Sequence, residues 1–170
     1  HDSVRVVFSP LSGRAHSTRS FSSGGFDEII MFVSAPRYLT VNTDQRLQLE
    51  KELFTEFDHN YVDRVTASYR YEIEAAISDG RRWYRGGLYS GRQAMFNEYM
   101  TWGVYLLYAW DTYEMGQFEE VRREVVRQMV NDRGFLKFDE FADELLKLYS
   151  EAGNEVKVYE LYPQIIKWVE

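Results

Sequence analysis

The residues best placed to do chemistry in this 170-residue chain lie in the segment Thr55–His59, which reads TEFDH. On an α-helix, residues three or four positions apart lie on one face. A helix that reads His-Glu-x-x-His uses this spacing to place two imidazoles on a zinc ion, with the glutamate beside the bound water as general base. Glu56 and His59 occupy the second and fifth positions of that pattern, and Thr55 occupies the first. Taken alone, Glu56 and Asp58 also fit a solvated helix face, and His59 also fits a partly buried histidine bonded to Glu98 or a tyrosine.

A second candidate is Glu98, the only formally charged residue between Arg92 and Asp111. The sequence around it, MFNEYMTWGVYLLYAW, is largely apolar and predicts a buried core helix rather than a membrane span. An unpaired buried carboxylate is costly, so we expect Glu98 to have a partner, which is a cation, a metal ion or a proton. A structural acid paired with an arginine or with His59 is therefore the alternative to a metal ligand.

Three segments taken together carry a resemblance to a known group of proteins. They are Val4–Leu11 (VRVVFSPL), Phe54–Asp63 (FTEFDHNYVD) and Asn97–Val104 (NEYMTWGV). In order and spacing they resemble a group of uncharacterised bacterial proteins similar to the gluzincin zinc metallopeptidases. In that group a strand ends in Ser-Pro-Leu, a helix reads His-Glu-Phe-x-His, and a later helix reads Asn-Glu-x-x-x-Arg-Ala.

The resemblance implies a role for each matching residue. Glu56 matches the general base, His59 matches the second zinc ligand, and Glu98 matches the third. Tyr105 and Tyr108 follow Glu98 on the same predicted helix and can stabilise an oxyanion in an active relative. Their alternative role is to form core or cleft wall. The resemblance also implies an extracytoplasmic location.

The chain departs from the pattern of that group at three positions. Thr55 stands at the first zinc ligand, Trp102 at the arginine, and Asp63 where asparagine is frequent. A catalytic zinc site needs three protein ligands and an open position for water, and a hydroxyl is a poor substitute for imidazole. His16 is the only other internal histidine that can fill the gap. The departures imply that zinc binds weakly or not at all.

The segment Asp79–Gly91 (DGRRWYRGGLYSG) contains four glycines and predicts a loop. Its three arginines are interspersed with Trp83, Tyr84 and Tyr89. Guanidinium groups and aromatic faces suit a peptide carboxylate or a sugar, so this loop is a candidate binding segment. The alternative is an exposed flexible loop.

The elements that must position these residues predict an α+β fold that is mostly helical. Apolar, β-branched runs predict strands at Ser3–Ser9 and Asp27–Val33, and the Ser-, Gly- and Arg-rich segment Leu11–Phe26 between them predicts a loop. Apolar residues at helical spacing predict the remaining elements. These are core helices at 43–66 and 92–113, a short helix at 69–77, and C-terminal helices at 118–130, 139–151 and 159–169.

Composition limits the classes of protein and partner. The length suits one domain over 1–170, made of a strand region (1–42), zincin-like core helices (43–113) and C-terminal helices (114–170). The net charge of −7 argues against a nucleic-acid partner, since phosphate contacts need clustered Lys and Arg. The chain has no cysteine, so any metal must be held by His, Asp and Glu.

Three hypotheses for the function follow. The first is a degenerate metallopeptidase-like domain, a pseudoenzyme that keeps its cleft for a peptide or protein. The second is an active zinc-dependent peptidase or hydrolase with a replaced ligand. The third is a structural or protein-interaction helical module, which requires the motif match to be accidental.

Overall fold

The computed structural model describes residues 2–9, 16–34, 43–89, 91–153 and 156–170. Strands come first in the chain and helices follow, so the predicted α+β, mostly helical class is confirmed. The chain divides into two compact units, His1–Tyr61 and Val62–Glu170. The boundary between them falls within the first helix. The single domain expected from the length stays a prediction.

The first unit contains a three-stranded sheet. Its strands are β1 (Ser3–Ser9), β2 (Ser17–Ser23) and β3 (Phe26–Ser34), in the order β1-β3-β2. β1 runs parallel to β3, whereas β2 runs antiparallel to it. The two predicted strands are therefore confirmed, and β3 extends one residue further at each end.

The prediction of a loop over Leu11–Phe26 is wrong for Ser17–Ser23, which forms β2. This strand reads STRSFSS and lies at an edge of the sheet, with most of its residues exposed. A polar edge strand has the same composition as a loop, so the Ser- and Arg-rich sequence wrongly predicts a loop here. Gly24 and Gly25 join β2 to β3 with positive φ angles of 59° and 82°, and a Gly-Gly pair is a recognised signal for such a two-residue hairpin.

The core of the first unit forms between β3 and the helix α1 (Thr43–Ser68). Alternate residues of β3 point to one face and are buried, as strand geometry requires. They pack against residues of α1 at helical spacing; the two sets are Ile29, Met31 and Val33, and Leu49, Leu53 and Phe57. The helix thus presents the segment Thr55–His59 from a fixed position on the sheet.

Asn60 ties α1 to the edge strand β2. The side chain is 8% exposed, its Nδ2 donates to Thr18 Oγ1 at 3.0 Å, and its Oδ1 accepts from Ser20 Oγ at 2.8 Å. Thr18 and Ser20 are two residues apart and share one face of β2. The polar side chains of Thr18 and Ser20 therefore satisfy the hydrogen-bonding groups of a buried amide on α1.

The second unit is helical. Its elements are α2 (Arg70–Ala76), a 3₁₀ turn (Gly80–Arg82), α3 (Arg92–Thr112), α4 (Met115–Arg127), a π-helical turn (Gln128–Asp132), α5 (Phe138–Ala152) and α6 (Val158–Val169). α3 is buried along most of its length, as its apolar sequence predicts. Among the described residues, no helix combines the length and the apolar character needed to cross a membrane.

Two helices of this unit begin earlier than their sequence patterns predict. α4 begins at Met115 instead of 118, so Gly116 lies within its first turn, where a Cβ meets no atom within 4 Å. α6 begins at Val158 instead of 159, and Pro163 lies inside the helix. Pro163 faces solvent, so water can reach the carbonyl that loses its hydrogen bond.

Candidate functional site

The motif segment of α1 belongs to the first unit. Thr55 is 6% exposed, and its hydroxyl donates to the carbonyl of Lys51 at 3.0 Å, with Glu52 O at 3.3 Å. Glu56 and His59 are half-buried. The hydroxyl at the first position of the motif is therefore engaged by the backbone of its own helix.

His16, the candidate for the missing ligand, precedes β2 in the same unit. Its Nε2 lies 3.5 Å from Glu52 Oε2, and its Nδ1 accepts from the backbone N–H of Ser34 at 3.4 Å. The Nε2 neighbour Glu52 lies one turn before Thr55 on α1, whereas the Nδ1 neighbour Ser34 ends β3. Within the described part of the chain, no three His, Asp or Glu side chains form a group that can hold a metal ion.

Glu98 lies on α3 in the second unit, and its carboxylate forms a buried ion pair. Its Oε2 accepts from Arg133 Nη2 at 2.6 Å, and the two side chains are 8% and 24% exposed, respectively. Of the three kinds of partner expected for Glu98, the structure therefore shows a cation. Glu56, His59 and Glu98 belong to two units, and their assembly into one site stays a prediction.

Arg133 follows the π-helical turn after α4, and aromatic groups surround its guanidinium. The Arg133 Nη2 also donates to Tyr89 Oη at 2.8 Å. The guanidinium carbon lies 5.0 Å from the ring centroid of Trp102 and 5.4 Å from that of Phe135. Cation–π attraction and the two hydrogen bonds therefore hold the guanidinium in one place.

No sequence pattern assigns a role to Arg133. The residue lies 35 positions after Glu98, in the segment between two amphipathic helices, and it belongs to no motif. The expectation that Glu98 has a partner includes an arginine among its alternatives but does not name Arg133. Neither spacing nor composition selects this arginine from the others of the chain.

Two residues of the motif segments meet in the second unit. Asn97, which precedes Glu98, donates a hydrogen bond from Nδ2 to Oδ1 of Asp63 near the end of α1. This contact joins the last residue of the segment Phe54–Asp63 to the first residue of the segment Asn97–Val104. The two motif segments thus touch each other through polar side chains.

The tyrosines near Glu98 differ in their environments. The pKa of Tyr89 is raised, first because burial disfavours the phenolate and second because the Glu98 carboxylate lies nearby. Tyr105 is 1% exposed and belongs to the core of the unit, and Tyr108 is half-buried with its ring 6.3 Å from that of Tyr105. Tyr89 is therefore the tyrosine hydrogen-bonded within the Glu98–Arg133 group.

The predicted binding loop contributes to a cavity of about 320 Å³ in the second unit. Its walls include Asp79, Arg81 and Tyr84 from the loop, Tyr89 from the end of the loop, and Arg92 from the start of α3. Backbone hydrogen bonds order this loop, since Arg85 N–H donates to the Gly134 carbonyl at 2.9 Å. Tyr89 lines the cavity and also accepts the hydrogen bond from Arg133, so it connects the two features.

No protein-family model, curated protein or solved structure matches this chain. The resemblance to gluzincin-like proteins therefore stays a prediction that rests on the motif segments. Two of the positions that the resemblance assigns to zinc ligands already make other contacts in this structure. Thr55 offers a hydroxyl bonded to its own helix, and Glu98 already neutralises a guanidinium.

Proposed function

We propose that this chain is a metallopeptidase-like protein in which zinc-dependent hydrolysis is lost or impaired, and whose role is to bind a peptide or protein. One observation carries the proposal: Glu98, which matches the third zinc ligand, forms an ion pair with Arg133 at 2.6 Å. Coordination of zinc by this carboxylate requires the guanidinium to leave, or requires two cations to share one carboxylate. Both are unfavourable in a buried position.

The departures from the resembling group support the same proposal. Trp102 stands where that group has arginine, and Arg133 brings a guanidinium to within 5.0 Å of the Trp102 ring. The positive charge near Glu98 is therefore supplied from another part of the chain. At the other motif, the Thr55 hydroxyl is not a ligand type that structural or catalytic zinc sites use.

Zinc calorimetry on metal-stripped protein tests the proposal. The native chain is compared with Thr55→His, and with Thr55→His combined with Arg133→Gln. We expect weak or no binding by the native chain and measurable binding by Thr55→His. The added Arg133→Gln is expected to tighten zinc binding by about tenfold, because it removes the guanidinium that competes with zinc for the Glu98 carboxylate.

A matched control combines Thr55→His with Arg127→Gln. Arg127 is also an arginine in an ion pair, with Glu124 at 2.7 Å, but both side chains are half exposed. This control must not tighten zinc binding. Circular dichroism checks that each variant folds.

Two outcomes contradict the proposal. Tight one-to-one zinc binding by the native chain, together with peptide hydrolysis, favours the active hydrolase with a replaced ligand. If none of the variants binds zinc, the resemblance loses its support and the helical interaction module becomes the better hypothesis.

A further inference from the structure

We infer that the cavity formed by the loop after α2 and the start of α3 is a binding site for a small ligand with a carboxylate or phosphate oxyanion, and that Arg81 contacts the anion. The cavity measures about 320 Å³, which lies at the lower end of the range for small-molecule sites. This inference does not depend on the metallopeptidase-like proposal, since neither Glu98 nor Arg133 lines the cavity.

The charge around the cavity has the opposite sign to that of the whole chain. Residues 78–92 contain four arginines and one aspartate, whereas the chain carries a net charge of −7. Of the charged residues, Asp79, Arg81 and Arg92 line the cavity. The positive end of the α3 dipole lies at the same wall, because Gly91 and Arg92 line it, and this favours the same sign of ligand charge.

The two arginines of the cavity have different roles. Arg92 is held in place, because its Nη1 donates to the Glu74 carbonyl at 2.8 Å and its Nη2 to the Ser78 carbonyl at 3.1 Å. The Arg81 side chain forms no hydrogen bond or ion pair with any residue that the structure describes. A guanidinium suits two-point binding of a carboxylate or phosphate, so Arg81 is the group available to a ligand.

The backbone of the loop is constrained around this arginine. Asp79 Oδ1 accepts from the backbone N–H of Arg81 at 3.1 Å, which fixes the 3₁₀ turn. Tyr84 Oη accepts from the backbone N–H of Leu88 at 3.2 Å. A Cβ at Gly86 would lie 2.0 Å from Tyr84 Oη, so this close approach requires glycine. The cavity wall is therefore built by specific contacts, which lowers the ordering cost of binding.

The experiment titrates ¹⁵N-labelled full chain with sodium phosphate and, separately, with sodium acetate at constant ionic strength. Acetamide serves as the uncharged probe with the shape of acetate. We expect saturable chemical-shift changes at the amides of Gly80, Gly86 and Gly91, which line the cavity. Dissociation constants are expected in the millimolar range, because an isolated anion makes few contacts. The response to each anion distinguishes a phosphate-bearing from a carboxylate-bearing ligand.

Arg81→Gln is expected to raise the dissociation constant of the anion by about fivefold or more, because one charge-assisted hydrogen bond is lost. Arg82→Gln is the matched control, because it removes the same charge from the same turn but does not line the cavity. The inference is overturned if neither anion gives saturable shifts, or if both variants weaken binding equally. The anion titration does not depend on zinc binding. A negative result therefore overturns this inference without affecting the metallopeptidase-like proposal.

Discussion

The Glu98 carboxylate is stable in its buried position because the Arg133 guanidinium neutralises it. The Tyr89 hydroxyl at 2.8 Å also holds the guanidinium, together with the Trp102 ring at 5.0 Å and the Phe135 ring at 5.4 Å. Removing either member of a buried ion pair leaves a charge without compensation, and that cost is larger than the net contribution of the pair. The pair is therefore a position where a single substitution has a large effect.

We predict that Arg133→Met lowers the free energy of unfolding by about 3 kcal/mol, because the Glu98 carboxylate is left buried and unpaired. Glu98→Gln is expected to be destabilising too, since it leaves the guanidinium without its counter-charge. The double variant should lose less than the sum of the two single losses. Urea unfolding of the four proteins gives this coupling energy.

The control for this cycle is Arg127→Met, which breaks the ion pairs with Glu124 and Asp132. All three side chains are 52% exposed, so water compensates the loss and no measurable change is expected. Additive losses at Glu98 and Arg133 would mean that the two residues do not interact in solution.

At the scale of elements, the contact between α3 and α5 requires a small residue. Gly103 lies in the buried part of α3, where a Cβ would stand 2.7 Å from Leu145 Cδ2 and 3.3 Å from Phe141 Cε1. Leu145 and Phe141 are both fully buried on α5, so neither has free space into which it can move. Glycine at this position allows the two helices to approach closely.

We predict that Gly103→Ala lowers the free energy of unfolding by about 1–3 kcal/mol, the usual cost of an added methyl group in a packed core. Gly116→Ala is the matched control, because Gly116 is also helical but has open space around it. There the better helix propensity of alanine makes the change neutral or stabilising. Thermal unfolding followed by circular dichroism compares the two. An equal effect at both positions would contradict the close packing of α3 on α5.

The elements differ in how well their sequences predict them. The strand β1 follows from its apolar, β-branched sequence, although Val4, Val6 and Phe8 are exposed. The helix α3 follows from an apolar sequence that is buried along most of its length. The strand β2 does not, because its stability comes from pairing with β3 and from Asn60, which is 40 residues away from Ser20. A pattern that depends on distant partners is invisible in a local sequence window.

The candidate site shows the same limit. The apolar surroundings of Glu98 predict that its carboxylate has a partner, which is a cation, a metal ion or a proton, and the structure shows a cation. They do not identify Arg133, because the pairing depends on how the segment after α4 folds back. Likewise, the sequence predicts Asp79–Gly91 as a loop but gives no sign of the bridge between Tyr84 and Phe135 that orders it.

At the scale of the whole molecule, charge is distributed unevenly. The chain carries a net charge of −7, and its basic residues between 78 and 92 form a local exception. Charges separated by more than about 8 Å of salt solution are largely screened at physiological ionic strength. A small anion at Arg81 therefore responds mainly to the nearby arginines rather than to the net charge of the chain.

The stability of the second unit is predicted to decrease at alkaline pH. The pKa of Tyr149 is raised to about 12 from 10.0, mainly because its hydroxyl donates a hydrogen bond to Asp111. Burial raises the pKa of Tyr99 and of Tyr89 as well. A tyrosine of the unfolded chain ionises near pH 10, which is below the folded-state pKa values of these three tyrosines. Their contribution is therefore complete below pH 10 and is lost as the pH rises through the folded-state pKa values.

Tyr149→Phe tests this pH dependence. The variant is expected to lose about 1 kcal/mol near neutral pH, the contribution of one hydrogen bond. Between about pH 10 and pH 12 its melting temperature should fall less steeply than that of the native chain, since one raised pKa is absent. Tyr71→Phe, at a side chain that is 84% exposed, is the control and should follow the native curve. Thermal unfolding at a series of pH values measures the slopes. A Tyr149→Phe slope equal to the native one would show that the hydrogen bond to Asp111 does not hold the Tyr149 proton in solution.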